Sequence, residues 1–228
     1  RQFPYITGNI TLQPEIMPQE NDKEFEALLD ALKDITLDVL KSMPEPPREL
    51  IFALRNMGNM LYLVNQGIDI VRIDAVPYIW KQLGTTCRNL PQVHTIVRMM
   101  RMITEIVCPG VLLLGEVVME PEKVVPYFGT LEKPECHMLY NVTTMASTWH
   151  TVATADTRLL KHQMDIVTRL PKDYVFLNYL RCHDDIGWGL DYEWLKQFGI
   201  AEAPHKKYLN DYFRGYVEGS DARGELYN

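Results

Sequence analysis

Short apolar runs alternate with longer helical patterns from about residue 50 onward, and this alternation constrains the fold more than any other feature. Residues 68–74, Ile-Asp-Ile-Val-Arg-Ile-Asp, are rich in β-branched side chains and are typical of a buried strand. Similar short runs at 111–114, 136–140 and 174–179 predict three more strands. Strands that alternate with helices in this way indicate βα units around a parallel sheet, so we expect an α/β fold.

Helical periodicity predicts the elements between these strands. Apolar residues recur at helical spacing over 50–64, and Gly67 stands where a left-handed residue ends a helix. The same spacing over 93–107 predicts a second helix, which ends before a Pro-Gly pair. A short helix is expected around 121–128, and one continuous helix is expected over 144–168.

The first 48 residues differ from the rest of the chain. Three prolines interrupt residues 1–20, which predicts a loop or a short strand there. Asn21 and Glu24 are spaced as a capping box, and apolar residues then follow a helical pattern to Ile35. We therefore expect an irregular and helical lead-in over 1–48, followed by an α/β region over 49–228.

Composition excludes several classes of function. The formal charge of −7 without a basic patch argues against binding to nucleic acid or to a membrane surface. The sequence has no apolar run of the roughly 18–20 residues that span a bilayer, and its start does not resemble a signal peptide, so we expect a cytoplasmic protein. The four cysteines form no Cys-x-x-Cys pair, which predicts reduced, buried thiols and no cofactor.

Carboxylates follow three of the four predicted strands. Asp74 closes the first, Glu116 follows the second, and Asp184 and Asp185 follow the last. Ligands of parallel sheets bind beyond the carboxyl ends of the strands, where polar side chains can meet water or substrate. Each carboxylate alone could instead cap a helix or pair with a neighbouring arginine, but three in one sheet favour a site.

Paired carboxylates of this kind suit the cleavage of a glycosidic bond. A retaining glycosidase needs an ionised carboxylate about 5–5.5 Å from a protonated one. Arg72 lies on the same strand face as Asp74, and a neighbouring guanidinium keeps an aspartate ionised. Glu116 follows an apolar run, so partial burial is expected to raise its pKa and to keep it protonated.

These residues carry a resemblance to a known family. Arg72-Ile-Asp-Ala, Gly115-Glu116 and His183-Asp184 resemble three of the four strand-end motifs of the α-amylase family, glycoside hydrolase family 13. The longer flanks at 67–85 and 181–188 are similar to the amylosucrase and sucrose hydrolase branch of that family. The likeness covers roughly residues 50–228.

The resemblance implies roles for individual residues. It implies that Asp74 is the nucleophile, that Glu116 is the general acid and base, and that Asp184 is the third carboxylate, which positions the sugar. It implies that Arg72 and His183 line the substrate, although a histidine beside a carboxylate could equally be a structural hydrogen-bond partner.

Three further residues are candidates for substrate binding through the same likeness. Asp185 and Trp188 belong to one loop, and the tryptophan is either a platform for a sugar ring or a packed anchor. Lys206 stands where relatives carry a basic residue near the acceptor. A metal site made of His183, Asp184 and Asp185 is not expected, because adjacent ligands seldom converge on one ion.

The resemblance also implies the fold and the partners. It implies a (β/α)8 barrel, of which 228 residues can supply only a part, about strands 4 to 7, incomplete at both ends. The implied reaction is cleavage of sucrose, with transfer of glucose to a glucan or to water. The alternatives are a related enzyme acting on maltooligosaccharides and a non-catalytic fragment that pairs with a second copy or with the remainder of a parent chain.

Overall fold

The computed structural model describes residues 48–119, 121–184 and 187–226. The predicted loop over 1–20 and the predicted helix over 21–35 lie outside the described residues, so both stay predictions. Asp185 also lies outside them.

The described chain forms two compact units, residues 48–116 with 127–138 and residues 117–126 with 139–226. Helices and strands alternate as the sequence predicts. The elements, in chain order, are α1 (Arg48–Asn65), β1 (Ile70–Ile73), a 3-10 turn (Val76–Tyr78), α2 (Pro91–Val107), β2 (Leu112–Gly115), α3 (Pro121–Val124), a 3-10 turn (Val125–Phe128), β3 (Met138–Tyr140), α4 (Val142–Thr154), α5 (Arg158–Arg169), β4 (Val175–Leu177), α6 (Tyr192–Leu195), a 3-10 turn (Lys196–Phe198) and α7 (Glu202–Phe213).

The first unit contains a parallel strand pair, which confirms the predicted sheet type. β1 pairs with β2 in a register that sets Ile70 opposite Leu112 and Ile73 opposite Gly115. On the other side of β2, the backbone N–H of His137 donates to the carbonyl of Leu113 at 2.9 Å. The segment that leads into β3 therefore lies beside β2.

The core of the first unit follows the helical periodicity of the sequence. On α2 the residues Val93, Ile96, Val97 and Met100 are buried, which is the spacing of one helix face. After α1, Gly67 has a φ of 84°, the left-handed conformation that the sequence predicts for a helix end. The packing of these helices in the core supports β1 and β2, whose carboxyl ends carry the candidate residues.

The second unit has a separate core made of helices. Its buried apolar members come from α4, α5, α6, α7 and the short segment before α6: Ala146, Ala153, Leu159, Leu190, Tyr192, Leu195 and Leu209. The side chain of Asn141 caps α4 by accepting a hydrogen bond from the Thr144 N–H. Its own backbone N–H donates to the carbonyl of Leu177 at 3.0 Å, which sets the end of β3 beside β4.

The prediction of one helix over 144–168 is wrong, because the chain breaks there into α4 and α5. Ala155 has a φ of 54°, a left-handed conformation that ends α4. The Asp156 carboxylate accepts the backbone N–H of Arg158 at 2.9 Å, so it satisfies a donor at the start of α5. Neither glycine nor proline marks this break in the sequence, and apolar periodicity alone cannot reveal it.

Two expectations drawn from composition concern membrane-spanning helices and the cysteine thiols. Among the described residues, no helix has both the length and the apolar character needed to cross a bilayer. The four cysteines are free, as expected. Cys136 is buried, but Cys87, Cys108 and Cys182 are partly exposed, so the prediction of buried thiols is right for only one of the four.

Candidate active site

The register of the first unit sets Asp74 and Glu116 side by side. Ile73 pairs with Gly115, so the next residue of each strand continues the same one-to-one alignment. Neighbouring parallel strands lie roughly 4.8 Å apart, and paired residues point to the same face of the sheet. The Glu116 backbone N–H donates to the carbonyl of Ile73 at 3.0 Å, which extends the ladder to the carboxylates.

Arg72 joins the two carboxylates. Its Nη1 donates to Asp74 Oδ1 at 2.6 Å, and its Nη2 lies 3.0 Å from Glu116 Oε2. The arginine side chain is only 7% exposed, whereas that of Glu116 is 17% exposed and that of Asp74 is 53% exposed. A guanidinium presents several donors in a fixed plane, so it can hold two acid groups at once. The contact between Arg72 and Asp74 that strand alternation predicts is present.

The backbone after β1 also binds Glu116. The N–H of Ala75 donates to Glu116 Oε2 at 2.9 Å, and the N–H of Val76 donates to the Glu116 carbonyl at 3.1 Å. Ala75 has a φ of 44°, a left-handed conformation that turns the chain directly after Asp74. This turn aims a backbone donor at the carboxylate on the neighbouring strand.

Burial raises the pKa of Glu116 above its ordinary value, as the sequence predicts. Desolvation is the largest cause, because the charged form loses contact with water. The hydrogen bond from Ala75 and the charge of Arg72 act in the opposite direction, and the adjacent Asp74 carboxyl raises the pKa further. A carboxyl with a raised pKa beside an exposed carboxylate matches the asymmetry that acid catalysis of bond cleavage requires.

The second unit holds the remaining predicted site residues that the structure describes. His183 Nε2 lies 3.4 Å from Asp184 Oδ1, and both side chains are about half exposed, at 52% and 53%. Arg181 donates to the backbone carbonyl of Asp184, and Cys182 Sγ lies 3.8 Å from Asp184 Oδ2. The two predicted residues therefore lie together in an open loop.

Trp188 and Lys206 make contacts within the second unit. The Trp188 indole N–H donates to Asn210 Oδ1 at 2.7 Å, and its ring stacks on Phe213 with centroids 5.5 Å apart. These contacts favour the packed anchor among the two roles left open for the tryptophan. Lys206 donates to Glu202 Oε1 at 2.6 Å across one turn of α7, the spacing of a surface ion pair.

One set of side chains could approach a metal ion. The ligand atoms of Cys182, His183 and Asp184 lie within 4.8 Å of one another. Two of the three side chains are exposed, and the set comes from consecutive residues of one loop. Exposed groups of this kind commonly occur without an ion, so the expectation of no metal site stays a prediction.

The sequence interpretation missed a cluster of cations on the loop that follows β1. Lys81 Nζ lies 5.0 Å from the ring centroid of Tyr78, and the Arg88 guanidinium lies 5.5 Å from the same centroid. The sequence signal was two basic residues that follow an aromatic within ten positions. That signal is weak, because basic residues on a loop are usually solvated.

One family of known proteins matches more than half of the chain. The profile of the alpha-amylase catalytic domain matches residues 52–186, more than half of the chain. Glucosylglycerate phosphorylase from Spirochaeta thermophila is 32% identical over 127 residues, which cover 56% of this chain and 21% of that protein. The chain thus spans about a fifth of the length of this curated relative.

A solved structure supports the fold. Sucrose 6F-phosphate phosphorylase from Thermoanaerobacter thermosaccharolyticum matches with a TM-score of 0.52 and 22% identity, over 74% of this chain and 30% of that one. At this identity the match supports the fold alone, and it agrees with a partial α/β barrel.

A protein of another kind matches a shorter stretch. Lon protease from Parabacteroides distasonis is 47% identical over 62 residues, which are 27% of this chain and 8% of that protein. That match covers too small a part of either protein to carry an assignment. The family is shown instead by the alpha-amylase profile, which covers residues 52–186. Over that range the chain belongs to the alpha-amylase family, of which it carries part of the α/β-barrel catalytic domain.

Proposed function

We propose that the chain carries the chemistry of a retaining enzyme that acts on α-glucosides. Asp74 attacks the anomeric carbon, and Glu116 protonates the leaving oxygen, which gives a covalent glucosyl-enzyme. Glu116 then acts as the base that activates the acceptor. The observation that carries the proposal is the joining of Asp74 and Glu116 by the buried Arg72 at the ends of two paired strands.

The geometry supports this division of roles. Retaining enzymes hold their carboxyl groups about 5–5.5 Å apart, close to the spacing of roughly 4.8 Å between neighbouring strands. The carboxylate of Asp74 is the more exposed of the two, so the anomeric carbon of a sugar can approach it. Glu116 is less exposed, and its raised pKa favours the protonated form that a general acid needs.

The remaining predicted residues have supporting roles in this proposal. Asp184 serves as the third carboxylate, which binds glucosyl hydroxyls, and His183 beside it donates to the same sugar. Asp185 and Lys206 complete the substrate-binding side, whereas Trp188 acts as a packed anchor through its contacts with Phe213 and Asn210. The support for these assignments is the resemblance of residues 181–188 to a family motif and the observed pairing of His183 with Asp184.

The donor proposed here is sucrose, and the acceptor is a glucan hydroxyl or water. The support is the sequence around the catalytic residues, which resembles the sucrose-using branch over 67–85 and 181–188. A maltooligosaccharide is the competing donor. A comparison of fructose release from sucrose with glucose release from maltotriose distinguishes the two.

Inorganic phosphate is a second candidate for the acceptor. The observation that favours it is the 32% identity to a glucosylglycerate phosphorylase, whose name describes transfer of a glucosyl group to phosphate. Phosphate would then attack the glucosyl-enzyme in place of water. The difference lies only in the second half of the reaction, since both candidates use Asp74 and Glu116 in the same way.

The deciding experiment measures fructose release from sucrose by the purified chain. Asp74→Asn removes the nucleophile while preserving the shape of the side chain, so we expect turnover to fall below detection. Asp173→Asn is the matched control, because Asp173 is exposed in the second unit, and it should leave the rate unchanged. Near-normal turnover by Asp74→Asn contradicts the proposal.

The proposal competes with the hypothesis of a non-catalytic fragment. That hypothesis predicts no turnover by the unmodified chain and assembly with a second copy or with another part of a parent chain. Size-exclusion chromatography combined with the fructose assay separates the two. A monomer that releases fructose excludes the fragment hypothesis.

A further inference from the structure

A buried tyrosine of the first unit bonds the base of the loop that follows β1. Tyr127 is only 1% exposed, and its hydroxyl donates to Asn89 Oδ1 at 2.6 Å. Asn89 has a φ of 55°, a left-handed conformation that asparagine adopts more readily than most residues. Its backbone N–H donates to the carbonyl of Pro77 at 2.9 Å. Asn89 therefore joins the buried tyrosine to the turn directly after β1.

The same turn holds Glu116 on the neighbouring strand. The Ala75 N–H donates to Glu116 Oε2, and the Val76 N–H donates to the Glu116 carbonyl. Within the turn, the Ile79 N–H donates to the Val76 carbonyl at 3.2 Å, and both Val76 and Pro77 are buried. Ala75, Val76 and Pro77 are consecutive residues of this turn, so the position of Pro77 is linked to the direction of the Ala75 donor.

Contacts with α2 hold the segment around Tyr127 in place. The backbone N–H of Cys136 donates to the Tyr127 carbonyl at 2.9 Å. The preceding residue, Glu135, is 0% exposed, and its carboxylate lies 2.8 Å from His94 Nδ1 and accepts a hydrogen bond from Arg98 Nε at 3.0 Å. The His94 ring also lies against the Tyr127 ring, with centroids 4.7 Å apart. The tyrosine is thus fixed to α2 by contacts that do not involve the turn.

We propose that Tyr127 is a positioning residue for Glu116, acting through Asn89 and the turn at 75–78. The inference rests on the proposed function, because it names a residue that positions the acid and base of that reaction. The hydroxyl of Tyr127 restricts Asn89, and Asn89 restricts the turn, so the Ala75 N–H stays aimed at one carboxylate oxygen. Without the hydroxyl, the turn loses this restraint and the donor moves away from Glu116 more often.

A weaker hydrogen bond from Ala75 should change the protonation of Glu116. This bond lowers the pKa of Glu116, because it stabilises the charged carboxylate. Among the described residues, the charged groups that face Glu116 are Arg72, which also lowers this pKa, and Asp74, which raises it. Both precede the turn in the chain, so a loosened turn should leave them in place. Loss of the Tyr127 hydroxyl should therefore raise the pKa of Glu116 further.

The first readout titrates Glu116 without turnover. The full chain is labelled with ¹³C at the glutamate carboxyl carbons, and the Glu116 resonance is identified by its absence from Glu116→Gln. We expect Tyr127→Phe to raise the pKa of Glu116 by about 0.5–1 pH unit, a part of the roughly one to two units that a hydrogen bond to a charged group contributes. Asn89→Gly removes the acceptor but permits the left-handed backbone, so it should cause the same shift.

Tyr208→Phe is the matched control, because the Tyr208 hydroxyl donates to the Ala153 carbonyl at 2.7 Å in the second unit. It removes a comparable hydrogen bond and should leave the pKa of Glu116 unchanged. The Tyr127→Phe/Asn89→Gly double variant should shift that pKa no further than either single variant, since both break the same bond. An unchanged pKa in Tyr127→Phe, even with a loss of stability in urea, overturns the inference, and so does an equal shift in Tyr208→Phe.

The second readout is the pH profile of kcat/KM for sucrose. The reaction needs protonated Glu116, so the rate falls as pH rises through the pKa of that group. In Tyr127→Phe this fall should move to higher pH by the amount that the titration measures, whereas Tyr208→Phe should keep the profile of the unmodified chain. Turnover with an unmoved profile in Tyr127→Phe overturns the positioning role. A shifted pKa in a chain without turnover supports the positioning role and contradicts only the proposed function.

Discussion

Two regions with candidate catalytic residues are built in different ways. In the first unit, Asp74 and Glu116 extend two paired strands and share a buried arginine. In the second unit, His183 and Asp184 lie in a loop and are about half exposed, with each other and Cys182 as near neighbours. Strand pairing fixes the first pair through many backbone bonds, whereas the second depends on a few local contacts.

A sequence motif determines side-chain geometry more tightly at the end of a paired strand than in a loop. The position of a motif at the end of a paired strand is set by the register of the sheet. If that register shifted by one residue, the buried side chains of the strand would also be misplaced. A motif in a loop has no comparable constraint. We therefore expect substitutions in the first region to affect both stability and chemistry, and those in the second to affect chemistry alone.

The largest effect is expected for Glu116→Gln, which removes the acid and base of the first region. General acid–base catalysis contributes roughly 10²–10⁴-fold, so sucrose turnover should fall by that factor. α-Glucosyl fluoride needs no protonation of its leaving group, so its first cleavage step should be much less impaired. Rapid-mix kinetics with both donors measure the difference. Glu218→Gln changes an exposed residue and should leave both rates intact.

The free energy of unfolding of the second unit should depend on pH through a histidine in its buried core. Burial and the neighbouring His205 lower the pKa of His150 to about 4, and the His150 side chain is almost fully buried. The unfolded chain therefore binds this proton more tightly than the folded chain, and stability falls as pH drops from about 6.5 towards 4. The loss from this group can reach roughly 3 kcal/mol.

His150→Leu tests this acid sensitivity, because it removes the titrating group and keeps an apolar side chain. Urea unfolding at several pH values should show a smaller decline in the free energy of unfolding below pH 6.5. An unchanged slope in His150→Leu would refute the assignment. Val152→Ala is the control, because it changes an exposed residue of the same helix that does not titrate, and it should keep the slope of the unmodified chain.

Arg72→Met and Asp184→Asn compare the stability of the two regions directly. Loss of the buried guanidinium leaves two adjacent carboxyl groups without their cation, at a cost of roughly 1–3 kcal/mol. This is less than for a fully buried pair, because Asp74 is half exposed. Asp184→Asn should stay within about 0.5 kcal/mol of the unmodified chain, as exposed substitutions usually do. Urea midpoints measure both values, and equal losses would contradict the comparison.

The smallest effect is expected at the break between α4 and α5. Ala155 adopts a left-handed conformation that glycine enters without steric cost, so Ala155→Gly should stabilise the chain by about 0.5–1 kcal/mol. Ala146→Gly is the matched control, because Ala146 lies inside α4 and the same substitution there should destabilise the chain by a similar amount. Thermal unfolding of the two variants should move in opposite directions.

Much of the fold was predictable because burial follows periodicity. The strands at 70–73 and 112–115 fall within or beside the predicted runs, and α2 buries the face that its apolar spacing predicts. The break at Ala155 was not predictable, because an alanine gives no sign of a left-handed backbone. The cation cluster around Tyr78 was missed for a similar reason, since loop conformation decides which side chains meet.

The sequence by itself determined the order of strands and helices, the carboxylates that follow the strands, and the alpha-amylase family of residues 52–186. These depend on residue types and spacing, which are local properties of the chain. Only the tertiary structure decided that Arg72, which pairs with Asp74 on its own strand, also contacts Glu116, and that the Ala75 N–H donates to the same carboxylate. The two contacts with Glu116 join residues more than forty positions apart, so they exist only once the strands have paired in one register.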